Sequence, residues 1–293
     1  MPLRRRELLA LPAAWMGAQA APTRFQLACM TLPYSAFPLQ RALTGIRAAG
    51  YGYVAWGVQH ERKPLLDVGA APAEAAALAR RCRDLGLTPL MMFATVNLEA
   101  PVAVDAHRKR LSQAAAAGIP FLLTFGKTGK GEYELFVRNL REIAAVARDA
   151  GVTVVIKQHG GNTATGKDCA RIVGEVGSPA VRICYDAGNV LDYENQDPIA
   201  DIATCASEIR AFAIKDHRNT PKDEDCGPGF GEIDHYKLLR PVMRTGLDMP
   251  LACENIFEPL VPRPATAEGV DALARRAREY METVIAGLRT VML

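Results

Sequence analysis

Residues 132–159, EYELFVRNLREIAAVARDAGVTVVIKQH, contain one full repeat of the pattern on which the fold rests. From Glu132 to Ala150 the apolar residues recur three and four apart, the period of a helix with one buried face. Gly151 follows, where a helix end favours a residue in the left-handed conformation. Val152–His159 then reads as a β-branched strand. The same rhythm runs through the rest of the chain. Further strands are expected at Arg24–Met30, Tyr53–Gln59, Pro89–Val96, Ile119–Phe125, Val181–Asp186, Arg210–Asp216 and Pro250–Asn255. Helices are expected at Leu39–Ala49, Pro72–Leu85, Val102–Ala117, Lys167–Val176, Ile199–Ser207, His235–Thr245 and Ala267–Leu288. No Ser/Gly-rich linker divides them. Eight βα units across residues 21–293 predict one α/β domain, a single (β/α)8 barrel. A doubly wound open sheet has the same periodicity and differs only in closure.

Composition narrows the function classes. The chain has 293 residues, 49% of them apolar and 23% charged, which argues against disorder, a collagen-like repeat and a disulfide-dense miniprotein. It has no apolar run long enough to span a bilayer, so stable membrane insertion is not expected. A formal charge of +3 gives no electrostatic reason to expect nucleic acid as a partner. The seven cysteines are odd in number and include no CxxC pair, so no disulfide framework is expected. Residues 1–20 read as an export signal. Arg4, Arg5 and Arg6 precede an apolar stretch from Leu8 to Met16, and Ala18-Gln19-Ala20 offers a small-x-small cleavage site. Arg5-Arg6-Glu7-Leu8-Leu9 is of the twin-arginine type, which points to the bacterial periplasm.

In a barrel of this kind the chemistry sits at the C-terminal ends of the strands. Strand residues two apart share a face. If Val154 and Ile156 face the helices, then Val155, Lys157 and His159 face the axis. The same alternation turns Cys184 and Asp186, Ala213, Lys215 and His217, and Ala252 and Glu254 inward. Lys157, His159, Asp186, Lys215, His217 and Glu254 therefore converge on one rim. Buried charges of both signs need each other or a cation. His60, Asn97, Lys127 and Asn189 stand at other strand ends. Asp223–Asp225 reads as a solvated acidic turn. Gly227–Gly231 reads as a mobile or turn-rich lid loop at the rim, since it lacks the GKS/T ending of a phosphate loop.

Gly151–Gly161 (GVTVVIKQHGG), Tyr185–Val190 (YDAGNV), Phe212–Asp216 (FAIKD), Gly229–Asp234 (GFGEID) and Glu254 follow in an order that resembles the xylose isomerase-like superfamily of barrels. The resemblance implies a sugar isomerase or epimerase that takes a proton from the carbon beside a carbohydrate carbonyl. It also implies one divalent metal held by Glu, Asp, His and Glu on strands five to eight. Asp186 and Glu254 match that set, whereas Lys157 and Ala213 stand where the other two ligands belong. Two arrangements follow. Either His159, Asp186 and Glu254 hold Mn, Zn or Co, with His217 as a further donor, or no metal binds and Lys157 supplies the positive charge. In both, Glu254 is the candidate base, and the metal, or Lys157 with Lys215, faces the developing oxyanion. Lys215, His217, Lys127, His60, Asn97 and Asn189 are the candidate contacts to a small carbohydrate. A keto-glycoside lyase or hydratase on the same site, and a sugar-binding barrel without catalysis, are the alternative readings. The endonuclease branch is a poor match, with only five His in the chain. The apolar, Pro-rich segment Glu254–Pro264 is a candidate wall of the pocket or contact in a homodimer. Expressed in a bacterium, the protein should be recovered from the periplasmic fraction with Ala21 as its first residue. N-terminal sequencing or intact mass checks this, and a cytoplasmic chain retaining Met1 would contradict it.

Overall fold

The structure is a computed structural model that describes residues 20–291. The export segment expected at residues 1–20 lies outside the described residues, apart from Ala20. Eight parallel strands form a closed barrel: Arg24–Met30, Tyr53–Trp56, Thr88–Phe93, Phe121–Thr124, Thr153–Lys157, Val181–Tyr185, Ile209–Ile214 and Asp248–Cys253. Each strand pairs with its neighbours in chain order, and the first closes the ring on the eighth, from Arg24↔Asp248 to Cys29↔Cys253. That last pairing removes the open-sheet alternative.

The closed ring separates two cores, and the period-two pattern of each strand decides which side chain enters which. Val155, Cys184, Ala211, Ala213 and Ala252 pack inside the barrel with Ala28, Met30, Met91, Phe93 and Leu123. Val154, Ile156, Ile183, Tyr185, Phe212 and Ile214 face outward against the helices. The helix Tyr133–Ala150 ends at Gly151 with φ 66° and Ala103–Ala117 ends at Gly118 with φ 68°, the left-handed geometry glycine adopts without penalty. All seven cysteines are buried and free. No described helix is long and apolar enough to cross a membrane.

Three expected boundaries move, each for a local reason. A helix begins directly after strand six, at Ala187–Glu194, because the Asp186 carboxylate accepts from the Asn189 N–H and caps it. The expected helix Ile199–Ser207 is a short helix, Pro198–Ile202, capped by Asp197, followed by a 3-10 turn at Ala206–Glu208. The expected helix His235–Thr245 stops at Leu239 and tightens into a 3-10 turn over Arg240–Val242, where Pro241 supplies no N–H.

The largest departure follows strand seven. The chain leaves the barrel at Ile214, and Asp216–Arg218 pairs antiparallel with Glu224–Cys226, placing His217 opposite Asp225. Asp216, fully buried, anchors this hairpin. Its Oδ1 accepts from the N–H groups of His217 (2.9 Å) and Ile233 (3.0 Å), and its Oδ2 from that of Gly229 (3.0 Å). A Cβ at Gly231 would overlap Asp216 Oδ1 and the His217 carbonyl, so glycine lets the loop close over the carboxylate. The Gly227–Gly231 loop is thus pinned, not a free lid. Arg276 lies over the Phe230 ring at 3.3 Å and donates to the Pro228 carbonyl. Asp216→Ala should leave three backbone donors without their acceptor and cost about 3 kcal/mol or more. Urea unfolding checks this, with Asp216→Asn expected to lose less because it keeps one acceptor oxygen.

Candidate active site

Lys157 is the last residue of strand five, two positions beyond the interior Val155, so its side chain rises inside the barrel mouth. Its Nζ lies 2.9 and 2.8 Å from the two Glu254 oxygens and 3.0 Å from Asp186 Oδ2. The Lys157 and Asp186 side chains are 4% and 0% exposed, whereas Glu254 retains 18%. Asp186 and Glu254 each follow the end of a barrel strand. Glu254 N–H donates to the Ile214 carbonyl at 2.8 Å and prolongs the ladder between strands seven and eight. Asp186 N–H donates to Gln158 Oε1 at 2.9 Å, and Asn189 Nδ2 donates to the Gln158 carbonyl at 2.6 Å, locking strand five to strand six.

Burial alone would lower the Lys157 pKa, but Glu254 and Asp186 outweigh it and hold the ammonium above the ordinary lysine value. Burial would likewise raise the Asp186 pKa, yet Lys215 and Lys157 bring it below the usual carboxylate range. Lys215 repeats the pattern. Burial opposes its charge, Asp186 and Glu254 restore it, and its Nζ lies 2.6 Å from Asp225 Oδ2. Asp225 Oδ1 in turn lies 3.1 Å from His217 Nδ1. Two ammonium groups and three carboxylates thus interlock around strands five to eight.

A cavity of about 260 Å³ opens above this cluster. Lys215, Asp225, Glu254, Asn255, Phe257 and Arg263 line it, while Lys157 and Asp186 lie beneath. The segment after Glu254 therefore forms a wall through Phe257, with Arg263 stacked on that ring at 4.4 Å and Leu260 and Val261 exposed. Larger hollows, of about 410 Å³ at the opposite barrel end, about 740 Å³ beside Asp168 and Asp201 and about 490 Å³ beside Glu61 and Arg62, include none of the residues of this cluster.

The remaining candidates are placed differently. His159 stacks on Phe125 at 4.5 Å between centroids, and its Nδ1 faces the Gly126 carbonyl at 3.1 Å. Burial and the Lys157 charge push its pKa below the ordinary value, which favours a neutral ring donating through Nδ1. His60 is buried with Nδ1 2.9 Å from the Phe37 carbonyl and Nε2 unpaired, in the short hairpin after strand two. Asn189 is buried in the strand-five to strand-six brace. Asn97 is half-buried and Lys127 is exposed, and neither lines the cavity. The ligand set His159, Asp186 and Glu254 does not enclose a free point, because the Lys157 ammonium fills the space between the carboxylates. Among the described residues, the donors close enough to share one ion are Asp192, His217 and Asp225, within 4.8 Å of one another. Asp225 was expected in a solvated turn with a ligand role left open, and Asp192 was not singled out from the sequence at all. The chain reversal at Asn219-Thr220-Pro221, with charged residues on both sides, was the available sign of a hairpin.

The chain matches the family described as xylose isomerase-like TIM barrel over residues 44–276. It belongs to that family. No curated protein sequence matches it. Among solved structures of the fold, an L-ribulose 3-epimerase superposes with a TM-score of 0.71 at 18% identity, covering 91% of this chain and 96% of that one. The D-allulose 3-epimerase from Methylomonas sp. in complex with D-allulose gives 0.66 at 19% identity, covering 90% and 99%. The IolI protein with a binding zinc atom gives 0.70 at 16% identity, covering 90% and 99%. These likenesses establish the xylose isomerase-like fold, and in this chain Lys157 lies between two carboxylates at the barrel mouth. Asp186→Asn should cost about 3–5 kcal/mol at pH 7 by leaving Lys157 half-compensated. Because the folded-state pKa of Asp186 is lowered, its contribution is complete above about pH 4 and disappears as pH falls through the folded value. Urea unfolding of parent and variant should therefore show a gap that narrows between pH 7 and pH 3.

Proposed function

We propose that the protein removes and returns a proton at the carbon beside the carbonyl of a small carbohydrate, an isomerase or epimerase reaction. The supporting observation is that Glu254, Lys215 and Asp225 line one cavity at the C-terminal end of the barrel, above the buried Lys157 and Asp186. Such a hydrogen is only weakly acidic. Its removal needs a base and a positive group at the oxygen where charge develops. Glu254, the partly exposed carboxylate, is the base. Lys157 binds both its oxygens from below and fixes the direction in which it meets the substrate. Lys215 faces the cavity and stabilises the enediolate oxygen. Asp225, held by Lys215 and His217, is the second proton-transfer group, able to return the proton from a different direction.

The sugar epimerases of the same fold support a carbohydrate substrate. An elimination would begin with the same proton abstraction. It is favoured by one observation, the 3.1 Å contact between Asp225 and His217, a pair suited to protonating a departing hydroxyl. The fold is also that of a probable 3-DHS dehydratase, at 12% identity.

Incubated in D2O with a panel of keto-sugars, the parent should exchange the hydrogen beside the carbonyl of its substrate, as followed by NMR. Glu254→Gln should lower kcat by about 10²–10⁴-fold with a smaller change in KM. Loss of a hydroxyl instead of exchange would select elimination. A folded parent that binds sugar but neither exchanges nor eliminates would be a binding barrel and would end the enzyme reading.

A further inference from the structure

Within the buried cluster, the least well-formed contact is the one between Lys157 and Asp186. The ammonium directs its hydrogen bonds at the two Glu254 oxygens. Asp186 Oδ2 is as close, at 3.0 Å, yet it is buried without an aligned hydrogen bond. The other Asp186 oxygen is committed to the Asn189 N–H. An ammonium offers three N–H bonds at fixed angles, and here two are spent on Glu254. A hard metal cation attracts carboxylate oxygens without needing an N–H vector toward each.

We propose that Lys157 stands in the place of a divalent cation: Asp186 and Glu254 form a metal site that the chain fills with its own side chain, so that no metal binds between them. Asp186 is held independently of Lys157, by its N–H bond to Gln158 and its cap on the following helix, whereas for Glu254 it is the main chain that is fixed, by its N–H bond to Ile214. Deleting the Lys157 side chain therefore leaves Asp186 in position and the Glu254 main chain fixed, with a vacated space and Lys215, already paired with Asp225, as the remaining nearby cation. Three carboxylates then share one ammonium in a desolvated mouth, short of the positive charge they need. In the parent, Lys157 is tethered to strand five and is present at an effective concentration that a free ion does not reach. The inference concerns charge compensation and holds whatever reaction the cavity supports.

The test is metal binding, with Mn²⁺ and Zn²⁺ as probes. After chelator treatment and dialysis, the parent should take up no ion whose binding depends on Asp186, and EDTA should shift the melting temperatures of the parent and of Asp186→Asn equally. Lys157→Ala should bind about one Mn²⁺ or Zn²⁺ per chain by calorimetry and elemental analysis, with a rise in melting temperature. Adding Asp186→Asn should abolish that binding. Uptake by the parent that survives Asp186→Asn, as an ion at Asp192, His217 and Asp225 would, agrees with the proposal. An Asp186-dependent ion in the parent overturns it, as does a folded Lys157→Ala that binds no ion. Should Lys157→Ala fold neither with nor without metal, the parent compared with Asp186→Asn decides alone. An ion lost in the variant counts against the proposal and its absence counts for it.

Discussion

The barrel mouth is organised by one ammonium group placed between two carboxylates from different strands. Lys157 joins strand five to Asp186 after strand six and to Glu254 after strand eight, across a desolvated interior. None of the three is tolerable there alone. An isolated buried charge costs several kcal/mol, and removing one partner exposes the others to that cost. The contact therefore constrains position as much as it stabilises. Each acid also completes a backbone feature, the cap of the helix Ala187–Glu194 for Asp186 and the extension of the seven–eight ladder for Glu254. Charge pairing and secondary structure thus place the same atoms.

The layer below explains how long side chains fit inside so narrow a barrel. Two residues before each charged group on the same face stands a smaller one: Val155 under Lys157, Cys184 under Asp186, Ala213 under Lys215 and Ala252 under Glu254. Bulkier Met30, Met91 and Phe93 fill the side formed by the first three strands. The polar half is roomy because its floor is small, and the apolar half closes the barrel from the other side. Gly188 contributes in the same way, since a Cβ there would press on the aliphatic stem of Lys215. Lys215 can then reach Asp225 in the hairpin, outside the barrel proper.

Much of this was legible in the chain itself. The alternation of Val154, Val155, Ile156 and Lys157 placed each side chain on its correct face, because a closed parallel strand has two distinct surroundings and a strict period of two. Strands two, three and five stop before their expected ends, at Trp56, Phe93 and Lys157, and strand seven departs furthest, since a continuous strand through Asp216 was expected. Periodicity could not reveal the break, because the residues beyond Ile214 pair with a segment six to ten positions later, not with strand six or eight. Asp225 was hidden by that turn. In a linear reading Asp223, Glu224 and Asp225 are equivalent acids, and only the hairpin register separates the exposed Asp223, which reaches His217, from the Asp225 that meets both Lys215 and His217.

The position of His159 was obscured for a different reason. Its parity on strand five matches that of Lys157, but the strand ends at Lys157 and alternation has no force beyond it. The chain turns through Gly160 and Gly161, both with positive φ, and this leaves the imidazole against Phe125 and the Gly126 carbonyl. A donor that has turned to strand four does not complete a ligand set between strands six and eight. The proposal that a lysine and not an ion lies between the acids rests in part on where a strand stops. One residue before the turn, a side chain is committed to the barrel axis; two residues later, it is not. The Lys157 ammonium is the cation that the strand delivers.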